Sequence, residues 1–220
     1  MSKRITIDQA VDMIKDNSTV MIGGFLGSGS ACKIIEAMVK KGKKGLTIIC
    51  NDTSFVEFGS GLLVANNCVK KCICSHVGTN PITGQKMMSG EMEVELIPQG
   101  TLAERIRCGG AGIGGFLTTT GIGTVCEKGK QKLTVDGVEY LLEKPLRADV
   151  ALIGASICDS FGNLVYKGTS QNFNPLMATA ADLVIAEVKN EVKELKPEEI
   201  KTPYLFVDYT VKAKYDKNNK

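Results

Sequence analysis

The sequence predicts an α/β fold, a mostly parallel sheet flanked by helices on both faces. Strand-like apolar runs alternate with segments of helical periodicity along the chain, which is the pattern of such folds. The run Leu46 to Cys50 is apolar enough for a strand that is buried on both faces. The chain has 220 residues, so we expect one domain over 1–211 and a polar tail over 212–220.

The first elements are expected to form a βαβ unit with a right-handed crossover. Apolar spacing predicts a helix over 5–14 and a strand over 19–22. A glycine-rich loop follows, and a second helix then begins after Ser30, its predicted N-cap, and ends just before Gly42.

The later segments continue the alternation of strands and helices. Asp136-Gly137 is a strong signal for a hairpin turn. In chain order we predict strands at 71–75 and 93–97, a helix at 101–107, a glycine loop at 109–115, a hairpin at 133–142, strands at 149–155 and 183–188 with a helix at 175–181 between them, and a last strand at 205–209.

Composition excludes several classes of partner. The chain has 27 basic and 24 acidic residues, a net charge of +3, which argues against nucleic acid or an anionic membrane surface. We find no signal peptide and no apolar stretch long enough to span a bilayer. Eight cysteines without a secretion signal indicate reduced thiols and a cytoplasmic location.

The loop at 23–29 is the first candidate site. A strand, a glycine loop and a helix N-terminus together are typical of an anion site, because backbone N–H groups approach the ligand and the helix end adds positive charge. The loop fits neither the dinucleotide nor the P-loop pattern, and a plain strand-to-helix turn remains an equal alternative. The candidate ligand-binding residues are Gly23, Gly24, Phe25, Leu26, Gly27, Ser28 and Gly29.

Several loops are expected to meet at one edge of the sheet, since ligands of parallel sheets bind beyond the carboxyl ends of the strands. These loops are 23–29, 51–53, 76–80 and 98–100. The loop at 109–115 is a further candidate, although it follows a helix.

Five segments, which together cover nearly the whole chain in order, carry a resemblance to a known family. They are 16–31 with Gly23-Gly24-Phe25, 75–81, 97–107 followed by 109–112, 145–153 and 172–175. These segments resemble the family I CoA-transferases, and most closely the alpha subunits that act on acetate, butyrate or acetoacetate. Ala31 stands where the family signature usually has proline, and Gly114-Gly115 stands where many relatives have Pro-x.

The resemblance implies an enzyme that moves CoA between short-chain acids through a glutamyl-CoA thioester. The family glutamate lies in a Ser-Glu-Asn-Gly motif of the beta subunit, and no Glu-Asn pair occurs in this chain. We therefore expect activity only with a beta subunit, in an assembly of two alpha and two beta chains. Coenzyme A and its acyl esters are expected as substrates, with no permanently bound cofactor and no metal.

The resemblance also implies roles for particular residues. Gln99 is expected to donate a hydrogen bond to the thioester oxygen as it becomes negative. A loop amide satisfied by the backbone is the alternative for Gln99. The loop at 23–29 is expected to bind CoA or the reacting carboxylate, and Asn51, at the end of a strand, is a weaker candidate for the substrate pocket.

Other chemistries have less support. Cys68, Cys72, Cys74 and His76 suggest zinc, but the last three alternate as one face of a strand does. His76 has no evident nucleophile partner, so a hydrolase is disfavoured. A non-catalytic acyl-CoA or phosphate-binding module of the same fold is the main alternative. A sugar-phosphate isomerase is another, supported by fold analogy alone. The transferase alone predicts an exposed apolar face that awaits a second chain.

Overall fold

The computed structural model describes residues 3–213 and has the predicted α/β architecture. The strands are β1 Arg4–Ile5, β2 Thr19–Ile22, β3 Leu46–Cys50, β4 Val69–Cys74, β5 Glu93–Leu96, β6 Phe116–Thr118, β7 Lys132–Val135, β8 Val138–Glu143, β9 Ala148–Cys158, β10 Leu164–Val165, β11 Ala181–Glu191 and β12 Tyr209–Lys212. The α-helices are α1 Ile7–Met13, α2 Cys32–Lys40, α3 Ser60–Ala65, α4 Pro81–Ser89, α5 Gln99–Ala111 and α6 Asn174–Met177.

The main sheet is parallel apart from one short strand. Its order is β1-β12-β11-β9-β2-β3-β4-β5, and only β10 pairs antiparallel, with β9. From β2 the chain continues through β3, β4 and β5 on one side, whereas β9, β11 and β12 lie on the other. Such a reversal of strand order opens a crevice beyond the carboxyl ends of the central strands.

Two apolar cores cover the two faces of this sheet. One contains Ile34 of α2, and the other contains Leu102 of α5. Strand β9 contributes alternately, with Leu152 in the first core and Ile153 in the second. Helices therefore pack on both faces, as predicted. The hairpin at Asp136-Gly137 is also confirmed, and it joins β7 and β8 in a separate sheet with β6.

The start of α2 differs from the prediction, whereas its end agrees. Ser30 is not the N-cap; its hydroxyl donates to Gly23 O at 2.8 Å, and Ala31 precedes the helix without a side-chain cap. Gly42 adopts the left-handed conformation (φ 67°) just after the helix, and its N–H donates to Val39 O at 2.9 Å.

The glycine-rich segment at 109–115 was wrongly predicted as a loop throughout. Helix α5 runs through its first residues, where glycine allows close packing: a Cβ on Gly109 would lie 1.9 Å from Leu146 O, and one on Gly110 2.0 Å from Thr179 Oγ1. Leu146 and Thr179 directly precede β9 and β11. The segment therefore lies at the amino edge of the sheet, opposite the predicted site.

Three boundaries near the C-terminus also need correction. The predicted helix at 175–181 is only the single turn α6, because β11 already begins at Ala181. The predicted strand at 205–209 is wrong, since Tyr204–Phe206 forms a 3-10 turn and β12 follows it. Strand β12 ends at Lys212, the first residue of the predicted tail, and residues 214–220 of that tail lie outside the described residues. No helix within 3–213 is long and apolar enough to cross a bilayer.

Candidate active site

The loops predicted to share one edge of the sheet do contact one another. Asn51, after β3, is central: Gln99 Nε2 donates to its Oδ1 at 2.6 Å, and the Ser75 hydroxyl, after β4, donates to its backbone oxygen at 2.8 Å. Leu26 N–H, after β2, donates to Asp52 Oδ2 at 3.0 Å. The ends of β2, β3, β4 and β5 are thus connected by hydrogen bonds at one edge.

The 76–80 loop contacts the 51–54 segment in the same region. Thr79 Oγ1 donates to Ser54 O at 2.9 Å, and Asn80 Nδ2 donates to Thr53 O at 2.9 Å. Asn80 also caps α4, because its Oδ1 accepts the Ile82 N–H at 3.1 Å. These contacts hold the polar segment after β3 in place beneath the glycine loop.

The glycine loop itself is built around a two-residue turn. Phe25 and Ser28 exchange backbone hydrogen bonds of 3.1 and 2.9 Å, and both residues between them have positive φ, 49° at Leu26 and 80° at Gly27. Glycine is needed at position 27 for a second reason. A Cβ there would lie 2.3 Å from the Phe58 ring, which packs directly on the turn.

Two asparagines before and within α6 fix the loop from the other side. Asn172 Oδ1 accepts the Gly24 N–H at 3.0 Å, and Asn174 Nδ2 donates to Gly29 O at 3.0 Å. A Cβ on Gly23 would lie 1.8 Å from Asn174 Oδ1, so the glycine at this position leaves room for the Asn174 side chain. The segment 172–175, found by resemblance alone, therefore has a structural role in shaping the candidate site.

Few N–H groups of the loop lack a hydrogen-bond partner. Within residues 3–213, those of Gly27 and Gly29 have no hydrogen-bond partner, whereas the others in the loop do. The N-terminus of α2 is partly satisfied within the chain, because Cys32 N–H donates to Ser30 O at 3.0 Å and Ile34 N–H donates to the buried carboxylate of Glu187 at 2.9 Å. The Glu187 carboxylate offsets part of the positive charge expected from α2.

The positive helix end at this edge belongs to α5 instead. Gln99, predicted to lie in a loop, is the first residue of α5, and no side chain caps this helix. The first N–H groups of a helix lack partners within it, so they carry partial positive charge. The Gln99 side chain is exposed, and its partner is the Asn51 amide rather than the backbone. An exposed amide and a helix N-terminus thus meet at the edge.

Asp52 is the site residue that sequence reasoning missed. Its carboxylate is buried and accepts hydrogen bonds from Leu26 N–H, from Asn51 Nδ2 at 2.7 Å and from Ser54 N–H at 2.7 Å. An aspartate that follows a buried strand and bonds the backbone two residues later is a recognised turn signal. The bond to the glycine loop, however, joins residues that are distant in sequence.

The cysteine cluster lies inside the protein. Cys72 and Cys74 are buried on β4, whereas His76 beyond the strand is exposed. Hydrogen bonds to Cys50 and Cys74, together with burial, raise the pKa of the Cys72 thiol well above its usual value. Among residues 3–213 no group of three or more His, Cys, Asp or Glu side chains is placed to hold a metal ion.

Aromatic side chains surround the site on its solvent side. Phe25, Phe55 and Phe58, here called the aromatic rim, are each 44 to 49% exposed. Phe25 belongs to the glycine-loop turn, and Phe58 covers Gly27. Exposed aromatic clusters of this kind often mark interaction surfaces. The edge thus carries exposed apolar surface, as expected for a transferase chain that binds a second chain.

Comparison with known proteins identifies the family. Residues 4–213 match the sequence profile of a family described as coenzyme A transferase. The chain belongs to the coenzyme A transferase family. It is 51% identical to the acetate CoA-transferase subunit alpha of Escherichia coli (strain K12), covering 98% of this chain and 99% of that protein. It is 53% identical to the acetoacetyl-CoA:acetate/butyrate CoA transferase alpha subunit of Clostridium acetobutylicum, covering 96% and 98%.

Solved structures agree on the fold. An acyl-CoA transferase of Escherichia coli O157:H7 (YdiF) superposes with a TM-score of 0.82 at 24% identity, covering 96% of this chain. The chain spans only 46% of that protein, although it spans nearly all of its curated relatives. The predicted resemblance to the alpha subunits of CoA-transferases is therefore confirmed, and this chain is the alpha-type chain of a CoA-transferase.

Proposed function

We propose that this chain, with a beta subunit, transfers CoA between short-chain carboxylic acids of the acetate, butyrate and acetoacetate class. The acid class comes from relatives more than half identical over nearly full length. The observation that carries the chemistry is the Gln99 amide, exposed at the positive end of α5 and bonded to Asn51. It is a hydrogen-bond donor in a place that a second chain can cover.

The chemistry divides between two chains. The partner's glutamate attacks the acyl-CoA thioester and expels CoA as its thiolate, which leaves an anhydride between the acyl group and the glutamate. The thiolate then attacks the glutamyl carbonyl, so that the first carboxylate leaves and the glutamyl-CoA thioester forms. The second carboxylate takes CoA through the same two steps in reverse and regenerates the glutamate. Negative charge develops on the thioester oxygen during attack. In this proposal the second Nε2 proton of Gln99 donates to that oxygen, and the N-terminus of α5 adds favourable charge.

The glycine loop binds the other reacting group. The N–H groups of Gly27 and Gly29 are its open donors among the described residues, and either CoA or the reacting carboxylate satisfies them. Asn51 acts chiefly by holding Gln99, although it also lies in the candidate pocket. CoA and its esters are substrates in this scheme, and no cofactor is bound permanently.

The partner is a beta subunit that carries the Ser-Glu-Asn-Gly motif, in an assembly of two alpha and two beta chains. A shared active site requires a permanent interface, typically above about 2,000 Å². The aromatic rim is the apolar surface we assign to it. We place the enzyme in the cytoplasm, because eight cysteines without a disulfide fit a reducing compartment.

Reconstitution tests the proposal. The purified chain alone is expected to show no CoA transfer between acetoacetyl-CoA and acetate, and co-expression with the beta chain is expected to give turnover. A beta chain whose motif glutamate is replaced by glutamine serves as the control and should assemble without activity. Full turnover by this chain alone, or a stable monomer that ignores the beta chain in light scattering, would contradict the proposal.

A further inference from the structure

The carboxylate of Asp52 is held by hydrogen bonds from neutral groups. It is buried behind the glycine loop, and no Lys, Arg or His within residues 3–213 forms an ion pair with it. Three N–H donors compensate it instead: Ser54 N–H on Oδ1, and Leu26 N–H and Asn51 Nδ2 on Oδ2. Burial of a carboxylate is costly, so its place here needs an explanation.

An ionised carboxylate accepts hydrogen bonds and cannot donate them. Because Asn51 faces Asp52, the Asn51 amide must turn its Nδ2 toward the carboxylate. Its Oδ1 then points the other way, where it accepts from Gln99 Nε2 at 2.6 Å and lies 3.0 Å from Ser75 Oγ. Gln99 must therefore present nitrogen, not oxygen, to Asn51.

This chain of contacts fixes the direction of the Gln99 amide. If the Asn51 amide rotated by 180°, its Nδ2 would donate to Gln99, and Gln99 Oε1 would accept that hydrogen bond. Gln99 Nε2 and Oε1 would then exchange positions, so that the carbonyl oxygen would lie where the Nε2 donor now lies. An oxyanion next to that carbonyl would be repelled rather than stabilised.

We infer that Asp52 is a positioning residue, which sets the hydrogen-bond direction of the Asn51–Gln99 pair and keeps the Gln99 N–H aimed at the reacting oxygen. The inference rests on the proposed function, because it assigns Gln99 to the thioester oxygen. The same carboxylate holds the glycine-loop turn through Leu26 N–H, so it ties the two donor groups of the site to one another.

The test uses Asp52→Asn in the reconstituted alpha–beta complex. The new amide has two orientations. In one, its NH₂ group faces Asn51, and the hydrogen bond between Asn51 and Gln99 must reverse its direction. In the other, its NH₂ group faces Ser54 N–H, so that two donors oppose each other. We expect kcat to fall roughly tenfold, since a hydrogen bond to a charged group is being replaced. KM for acyl-CoA should rise in the same variant, because the Asp52 carboxylate also holds the glycine-loop turn through Leu26 N–H. Asp52→Ala, which removes both oxygens, should lower kcat further.

Asp159→Asn is the matched control. Asp159 is also buried after a sheet strand and accepts the N–H groups of Phe161, Gly162 and Asn163 and the Nδ2 of Asn163, but it has no bond to the glycine loop or Gln99. We expect this variant to lose stability in urea without losing kcat. An equal loss of kcat in both variants would show a general effect of a buried carboxylate and would overturn the inference.

A double-mutant cycle with Gln99→Ala gives the decisive readout. If Asp52 acts through Gln99, Asp52→Asn costs kcat less than about threefold when Gln99 is already alanine. The same fold loss in both backgrounds would overturn the inference and leave the proposed function intact. Lack of turnover by the wild-type complex would overturn the proposed function and this inference with it.

Asn51→Ala is a second variant that tests the inference if the Asp52→Asn chain does not form the alpha–beta complex. This variant leaves the Asp52 bonds to Leu26 and Ser54 in place and removes the group that directs Gln99. It should reproduce the fall in kcat and the same non-additivity with Gln99→Ala. Wild-type kcat for Asn51→Ala would overturn the inference.

Discussion

Gly27→Ala tests the glycine-loop turn, and Gly42→Ala is its matched control. Both glycines have left-handed backbones, with φ of 80° and 67°. They differ in their surroundings: a Cβ at Gly27 would lie 2.3 Å from the Phe58 ring and 3.0 Å from Ser54 Oγ, whereas one at Gly42 would meet nothing within 4 Å. The two variants share a conformational penalty, and only Gly27→Ala adds overlap.

The structure gives the size of each contribution. The left-handed conformation costs an L-residue about 1–2 kcal/mol at either position. Overpacking at Gly27 adds about 1–3 kcal/mol, at the lower end if the half-exposed Phe58 ring swings outward. We therefore expect Gly27→Ala to lower the free energy of unfolding by roughly 2–5 kcal/mol, and Gly42→Ala by about 1–2 kcal/mol. Gly27→Val should cost more, because branched side chains tolerate this conformation least.

The assays are urea unfolding of the chain and steady-state kinetics of the alpha–beta complex. A displaced turn moves the open N–H groups at Gly27 and Gly29, so KM for acyl-CoA should rise about tenfold, the equivalent of roughly one lost hydrogen bond, and kcat should fall as well. Phe58→Ala in the same chain should restore part of the stability, because it removes the overlap and leaves the strain in φ. If Gly27→Ala matches Gly42→Ala in both assays, the turn neither packs nor binds as described here.

Three further predictions concern the rest of the site. Gln99→Ala should lower turnover by about 10²–10³ with little change in acyl-CoA binding, and Gln99→Glu should be worse, since a carboxylate repels the oxyanion; stopped-flow binding alongside kcat checks this. Asn174→Ala should destabilise the chain by roughly 2–3 kcal/mol, because it removes the partners of the buried Gly154 N–H and of two part-buried carbonyl groups, and urea unfolding measures it. Replacing Cys72 and Cys74 together by alanine should leave kcat near wild type and yield no stoichiometric zinc by metal analysis; loss of activity with a chelator would show that their strand position hides a metal site.

The sequence was sufficient for the parts of the fold that depend on strand direction. The apolar run at 46–50 suits a buried strand, and parallel strands place their carboxyl ends at one edge whatever their order. That rule places Gln99 and Asn51 at the same edge, although 48 positions separate the two residues. Their direct contact depends also on the order of the strands, which the sequence does not give.

The sequence was insufficient where a partner comes from far along the chain. Ser30 has the residue type and position of an N-cap, but Glu187 from β11 takes the open N–H of α2, and Ser30 bonds Gly23 instead. The sequence around Asp52 gives no indication that the Leu26 N–H would donate to its carboxylate. Gly109 was predicted to lie in a loop because glycine is disfavoured inside helices. In this structure it permits close contact between α5 and the residues before β9.

The exposure of Gln99 explains why the site needs a second chain for more than its nucleophile. A hydrogen bond from an amide to an oxyanion contributes little in water, where solvent competes for both groups and the dielectric constant is high. The same bond contributes far more once water is excluded. In this chain Gln99 is an exposed residue, and the aromatic rim at the same edge of the sheet presents apolar surface that a partner can cover. Assembly would therefore supply the glutamate and, in the same step, the dry surroundings in which Gln99, the N-terminus of α5 and the open N–H groups of the glycine loop become effective.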